Sequence, residues 1–281
     1  MKDIHYVLLP QLADYLIRYN ATSASDAATE SLPRRALLQN GTAYRELLYA
    51  NVQYVLNSSA AFVQDPSDHK NLARIKADNP VGNWRDSNIS LGWGVYPVDV
   101  STALVPAALY AISDTAKARL MQNFTSKSTN ITESDLAETA ERYATVWEQE
   151  APKFFQYNVT SDQAQERLQG YVQRANLSDS LLSNSACAGG MQRCWGGVTF
   201  GREAEFSLLT PRQEANDTGS GSSKSNSSTV AANQTTTLYG LSLLKDVTVV
   251  PVTNSDLSFN LLYSRRPSRF LIQSVITALQ P

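Results

Sequence analysis

The segment at residues 83–100 concentrates the side chains of this chain that could do chemistry. It holds three aromatic rings, an arginine, two carboxylates and two glycines. Rings stack on sugar faces, polar groups bind sugar hydroxyls, and a carboxylic acid can protonate a glycosidic oxygen. Asp86, two positions after Trp84, is therefore a candidate general acid. Its structural alternatives are pairing with Arg85 and capping of a turn.

Two further carboxylates are candidates for the base that activates water. Asp99 precedes an apolar run at 101–112, where it could cap a helix or orient sugar hydroxyls. Asp256 lies in a turn, where it could line a cleft or form an Asx-turn. We include Asp99 in the catalytic set, although a structural or binding role is favoured for it. The candidate substrate-binding residues are Trp84, Arg85, Trp93, Tyr96 and Asp256, and each ring could instead anchor the loop to the core.

Composition argues against several other classes of function. The chain has 281 residues and a net charge of −2, so neither nucleic acid nor an anionic membrane is a favoured partner. A membrane-spanning helix needs about 20 apolar residues, and no run approaches that length. The two histidines lie far apart in sequence, which argues against hydrolytic zinc. We expect no metal and no other cofactor.

Sequons for asparagine-linked glycosylation are frequent. Eleven of the 18 asparagines begin an Asn-X-Ser/Thr pattern, against about three expected by chance in a Ser/Thr-rich chain. This predicts a secreted or cell-wall-associated glycoprotein whose leader is absent from the sequence. Asn88 lies inside the 83–100 segment, where a glycan would crowd a cleft, so we expect it to be unoccupied. The predicted glycosylation sites are Asn20, Asn40, Asn57, Asn123, Asn130, Asn158, Asn176, Asn216, Asn226 and Asn233.

Cysteine use fits the same compartment. Cys187 and Cys194 are seven positions apart with two glycines between them, and in an oxidising compartment they would close a small loop. A metal site would need more ligands than these two thiols. We predict a disulfide between them.

Apolar periodicity predicts a mainly helical chain. Thr160 and Gln163 form a capping-box pattern before one of the helices. Two β-like stretches, 198–208 and 246–252, flank a Ser/Asn-rich stretch at 213–236 that predicts a disordered, glycosylated insertion. The predicted helices cover residues 7–19, 43–62, 101–112, 133–149, 160–174 and 270–279.

The motif residues resemble a known group of proteins. The runs at 81–88, 91–100 and 103–109 resemble six-hairpin glycosidase-like proteins, which are related to glucosidases, trehalases and debranching enzymes. Three flanking stretches, 32–38, 249–262 and the final predicted helix at 270–279, resemble the same group in the same order. Three positions depart from the group's pattern, because Ser90 stands where it has glycine, Ser101 where it has asparagine, and Trp93 where it has a small residue.

The resemblance implies an (α/α)6 toroid. Residues 1–281 would form part of one helical toroid catalytic domain, with a small β-containing excursion near 198–252. Members of the group extend beyond these ends, so we expect an incomplete toroid that could be inactive alone.

The implied activity is inverting hydrolysis of a glycosidic bond by a carboxylate pair, on an oligosaccharide or polysaccharide. Two alternatives stay open. One is a non-catalytic secreted glycan-binding glycoprotein. The other is a polysaccharide lyase in which Tyr96 acts as base while Arg85 neutralises a uronate.

Overall fold

The described part of the chain is mainly helical with small antiparallel sheets, which confirms the predicted fold class at that level. It divides into two units, residues 1–158 with 237–281, and residues 159–236. The described residues of the candidate catalytic and binding set lie in the first unit. In this computed structural model the described residues are 3–22, 44–76, 83–85, 87–121, 124–126, 131–182, 235–252, 255–269 and 271–272.

The helices of the first unit bury one apolar face each. Three of the predicted helices, those at 7–19, 43–62 and 133–149, are confirmed and are longer than predicted. At the centre of their packing, the Phe62 and Trp147 rings lie 4.4 Å apart, and Trp147 Nε1 donates to the Ser59 carbonyl at 3.1 Å. The helices are α1 (Asp3–Thr22), α2 (Tyr44–Gln64), α3 (Val105–Lys117), α4 (Glu133–Phe154) and α6 (Ser258–Tyr263).

A π-helical turn leads into α3. It spans Val100–Leu104 and corrects the predicted start of the 101–112 helix. The wider turn is buried throughout, and α3 continues it between α1 and α4. Thr102 Oγ1 donates to the Val98 carbonyl at 2.7 Å and accepts from Asn260 Nδ2 at 3.2 Å, which ties α6 to the π turn. Such turns are frequent at functional sites.

The described strands form two small antiparallel sheets. They are β1 (Tyr96–Pro97), β2 (Gln156–Thr160), β3 (Thr235–Tyr239), β4 (Ser242–Leu243) and β5 (Val249–Val250). The first sheet has the order β1-β4-β5, with Tyr96 opposite Leu243 and Leu243 opposite Val249. Its outer strand β5 confirms a strand within the predicted stretch 246–252, whereas β1 was not predicted. The second sheet pairs β2 with β3, and the first two residues of β3 are the last two of the predicted insertion.

The second unit contains the helix α5 (Ser161–Arg174). Its capping box is confirmed, because Gln163 N donates to Thr160 Oγ1 at 3.2 Å and Thr160 N donates to Gln163 Oε1 at 3.1 Å. The predicted Cys187–Cys194 disulfide and the predicted strand at 198–208 lie outside the described residues. The insertion up to residue 234 and most of the 270–279 helix also lie outside them. No helix of the described part is long and apolar enough to cross a membrane.

Candidate functional site

A buried asparagine anchors the segment that the sequence singles out. Asn83 is 1% exposed, and its Nδ2 donates to both carboxylate oxygens of Asp99 at 3.3 Å each. Its Oδ1 accepts from the backbone N–H of Arg85 at 3.0 Å. Asn83 therefore joins the start of what we call the motif loop, residues 83–95, to Asp99, the residue that precedes the π turn. Within the motif loop, Asp86 lies outside the described residues.

An ion pair closes the motif loop onto the C-terminal part of the unit. Arg85 Nε and Nη2 donate to the two carboxylate oxygens of Asp256 at 2.6 Å each. The Asp256 side chain is fully buried, whereas that of Arg85 is 20% exposed. The hydrogen bond to Asp256 is the main cause of a raised Arg85 pKa, followed by the attraction of Asp256 and Asp99, and together they outweigh the effect of burial. Arg85 is therefore a permanent cation whose charge is largely compensated inside the protein.

The Trp84 indole lies at the surface beside this ion pair. It is 48% exposed, and the Arg85 guanidinium carbon lies 5.0 Å from its ring centroid. The Phe259 ring meets it in a T-shaped arrangement at 6.2 Å. Phe259 belongs to α6, and Asp256 lies two residues before that helix. The same short stretch therefore contacts both Trp84 and Arg85.

Serine hydroxyls and glycines set the course of the motif loop. Ser90 Oγ donates to the Arg85 carbonyl at 2.6 Å, a bond that a glycine at this position could not make. Gly92 has a φ of +60°, and a Cβ on it would lie 2.6 Å from Val250 Cγ1. A Cβ on Gly94 would lie 1.9 Å from Ser242 Oγ, which donates to the Leu91 carbonyl at 2.7 Å. The loop therefore lies directly on β4 and β5.

The other predicted rings occupy two different environments. Trp93 is 66% exposed and has a φ of 65°, a left-handed backbone conformation that is uncommon outside glycine. Tyr96, in β1, is 3% exposed, with its ring 5.8 Å from that of His69 and 6.0 Å from the Arg74 guanidinium carbon. The burial of Tyr96 favours the alternative that it anchors the loop. Trp93, in contrast, is available at the surface for stacking.

The Asp99 side chain is buried and belongs to the same hydrogen-bond network as Asn83 and Arg85. It is 0% exposed and makes no capping hydrogen bond to the π turn, which excludes the capping alternative for its side chain. Its contact with Asn83 and its attraction for Arg85 give it a structural role in holding the motif loop. The described carboxylates of the candidate set, Asp99 and Asp256, are therefore both beneath the surface that carries Trp84.

Three of the predicted glycosylation sites are exposed in the described part of the chain. Asn57, Asn158 and Asn176 are exposed, and Asn20 lies in α1. Asn88 is half-buried in the motif loop. The remaining predicted glycosylation sites, which lie outside the described residues, are Asn40, Asn123, Asn130, Asn216, Asn226 and Asn233.

Three residues that sequence reasoning did not select help to build the site, namely Asn83, Phe259 and Asn260. Asn83 lies within the conspicuous segment, so its position was a usable signal. Phe259 and Asn260 lie on α6, and nothing in their local sequence marks them. Among the described residues there is no group of three or more His, Cys, Asp or Glu side chains that could hold a metal ion.

Comparison with known proteins finds no relative of the chain. No protein-family model matches it, and neither a curated protein nor a solved structure matches it.

Proposed function

We propose that the protein is a secreted, carbohydrate-active glycoprotein of the toroid type. Its motif loop binds an oligosaccharide or polysaccharide, and the reaction is hydrolysis of a glycosidic bond with inversion. Asp86 is the general acid of this reaction. Two features support the proposal. Residues 81–109 resemble those of glycosidase-like proteins, and the side chains around Trp84 form a surface on which a sugar could stack.

The observation that carries the proposal is the half-exposed indole of Trp84 beside the Arg85 guanidinium. A tryptophan ring at the surface offers a large apolar face on which a sugar ring can stack. Here the ring is braced by Phe259 and by the guanidinium of Arg85. A braced ring loses little conformational freedom when a sugar stacks on it, so more of the contact energy remains for binding. Arg85 adds polar hydrogen-bond donors beside the ring.

Hydrolysis is assigned to Asp86 because of its place in the chain. It follows Trp84 and Arg85 directly, and the resemblance gives this position to the acid. An inverting reaction also needs a base about 6.5–9.5 Å from the acid. Asp99 and Asp256 are buried and hydrogen-bonded, so in this arrangement they support the loop rather than activate water. The base would then come from a different carboxylate.

The second candidate function is saccharide binding without hydrolysis. The burial of Asp99 and Asp256 favours this function, because both carboxylates are hydrogen-bonded within the fold and neither reaches the surface. A protein with the binding loop alone would recognise glycans and leave them intact.

The experiment that tests the proposal separates binding from hydrolysis. The full-length protein and its Asp86→Asn variant are titrated with maltohexaose, cellohexaose, xylohexaose and mannohexaose by calorimetry. Their products are followed by proton NMR, where the anomeric signal reports inversion. Loss of hydrolysis with retained binding supports the glycosidase. Binding without hydrolysis by the wild-type protein supports the second candidate, and the absence of binding to all four sugars contradicts both.

Trp84→Ala is the matching test for the stacking platform. We expect saccharide affinity to fall by about 1–2 kcal/mol, a factor of about 5–30, when the ring is removed. Tyr15→Ala is the control, because Tyr15 is a similarly exposed aromatic residue, 56% exposed, on α1. Equal affinities of the wild-type protein and the Trp84→Ala variant would rule out the platform.

Secretion and the toroid form parts of the same proposal. Treatment of the protein from its native host with peptide-N-glycosidase F should lower its mass if the exposed sequons carry glycans. An unchanged mass would argue against the secretory pathway. The toroid is supported by the packing of α3 against α1 and α4, and a crystal structure of the full-length protein tests it directly.

A further inference from the structure

We propose that Asp256 determines charge selectivity at the saccharide site, so that the site accepts neutral sugars and excludes uronates. This inference rests on the proposed function, because it concerns the sugar that meets the motif loop. It assigns a specificity role to a residue that does not itself reach the surface. Asp256 acts through Arg85, the cation beside the exposed indole.

The geometry of the ion pair uses the part of the guanidinium that binds carboxylates best. An arginine recognises a carboxylate most strongly when two parallel N–H groups point at its two oxygens. In Arg85 the Nε and Nη2 groups already make this two-pronged contact with Asp256, at 2.6 Å each. A uronate carboxylate would have to compete with an internal partner that is fixed in place. It would also approach the buried charge of Asp256.

A second negative charge strengthens the exclusion. Asp99 also attracts Arg85, so two carboxylates act on one guanidinium. Both carboxylates are buried, where solvent screens them less than it would screen surface charges. An acidic sugar that stacks on Trp84 would therefore experience a local field that does not favour its charge.

A neutral sugar can bind to the part of the Arg85 guanidinium that Asp256 does not occupy. Arg85 Nη1 makes no hydrogen bond to the described residues, and its side chain is 20% exposed. A sugar hydroxyl can accept a hydrogen bond from this N–H without bringing a charge. The compensated guanidinium thus acts as a hydroxyl-binding donor beside the ring that stacks on the sugar face.

The test is a gain of function in Asp256→Asn. Asparagine keeps the size of the side chain and one acceptor oxygen but removes the charge, so that only the attraction of Asp99 still compensates Arg85. Calorimetric titration with hexagalacturonate should show binding about tenfold or more tighter than that of the wild-type protein. This binding should weaken as salt is added, because it depends on charge.

Two control variants separate this effect from a general change in charge or fold. Asp14→Asn removes one negative charge from the exposed face of α1, where the Asp14 side chain is 59% exposed. It should not gain uronate binding. In the double variant Arg85→Gln/Asp256→Asn the cation is also gone, so the gain should disappear. Circular dichroism and thermal unfolding of each variant check that it is folded.

The outcomes distinguish the inference from the function on which it rests. Neutral-hexasaccharide binding by the wild-type protein without uronate gain in Asp256→Asn overturns the inference and leaves the proposed function standing. Hexagalacturonate binding by the wild-type protein as tight as that of the neutral sugars also overturns it, and favours the lyase alternative. This second comparison needs no variant, so it decides the matter even if Asp256→Asn does not fold. If the wild-type protein binds neither class of sugar, both proposals fail.

Discussion

Arg85 and Asp256 lie 171 residues apart in sequence and form a two-pronged ion pair, with both N–H···O distances at 2.6 Å. The pair connects the motif loop to the stretch that leads into α6. Its two members differ in exposure, since the Asp256 side chain is fully buried and that of Arg85 is 20% exposed. The consequence of removing one member therefore depends on which one is removed.

We expect Arg85→Gln to lower the free energy of unfolding by about 3–5 kcal/mol, because it leaves a buried carboxylate without its cation. Asp256→Asn should cost less, about 1.5–3 kcal/mol, because the remaining guanidinium keeps some contact with water. Urea unfolding measures both values. Arg18→Gln, which breaks the exposed Arg18–Asp14 pair, is the control and should change little. If Arg85→Gln and Asp256→Asn lower the free energy of unfolding by the same amount, the difference in burial between the two side chains does not affect stability.

The contact between Gly94 and β4 predicts a strongly destabilising substitution. A Cβ at position 94 would lie 1.9 Å from Ser242 Oγ and 2.4 Å from Ser242 Cβ, so the loop must move away from the sheet. We expect Gly94→Ala to lower the free energy of unfolding by about 1–3 kcal/mol or more.

Gly170→Ala provides the matched control for Gly94→Ala. Gly170 is half-buried in α5, and its Cβ would meet the flexible end of the Arg174 side chain at 3.2 Å. Alanine in that helix should raise the stability of α5 by about 0.5–1 kcal/mol. Thermal unfolding followed by circular dichroism compares the two variants. If Gly94→Ala unfolds at the same temperature as the wild-type protein, the close approach of Gly94 to Ser242 does not limit stability.

Tyr110 predicts a dependence of stability on alkaline pH. Burial, and then a 2.7 Å hydrogen bond to Glu148, raise its pKa from 10.0 to about 12. A raised pKa in the folded state means that the stabilisation is complete below pH 10 and is lost as the pH rises toward 12. This loss should amount to about 2 kcal/mol.

The variant Tyr110→Phe isolates this effect. At pH 7 it should be less stable than the wild-type protein by about 1–3 kcal/mol, because the buried Glu148 carboxylate loses a donor. Between pH 10 and 12 the wild-type protein alone loses the Tyr110 contribution, so the difference in unfolding free energy should shrink. Tyr15→Phe, at an exposed position, should leave the stability at pH 7 unchanged. A difference that stays constant from pH 7 to 12 would contradict the assignment.

The sequence predicted the helices better than the site. Apolar spacing was sufficient for α1, α2 and α4 because each buries one continuous stripe, and the Thr160 capping box has a purely local cause. Strands of two residues, such as β1 and β4, carry too little alternation to be recognised. The π turn was missed because it lies in the same apolar run as α3. Nothing in the residue pattern of that run distinguishes a π-helical turn from an α-helical one.

Within the candidate site, the local sequence singled out the 83–100 segment but not the residues that contact it. Arg85 was expected to pair with its neighbour or to bind substrate, whereas its partner comes from a stretch 171 residues later. The brace that Phe259 gives to Trp84 has the same non-local origin. Such contacts depend on how α6 docks on the π turn, through Asn260 and Thr102, and no local pattern encodes that docking.

Fluorine NMR of the protein labelled with 5-fluorotryptophan tests the central claim most directly. The chain has four tryptophans, whose signals can be assigned with single Trp→Phe variants. Titration with the four neutral hexasaccharides should shift the Trp84 signal with at least one sugar. The signal of Trp147, which is 1% exposed, should stay in place. A saccharide that binds while the Trp84 signal does not move would contradict the claim that this indole is the sugar-binding platform.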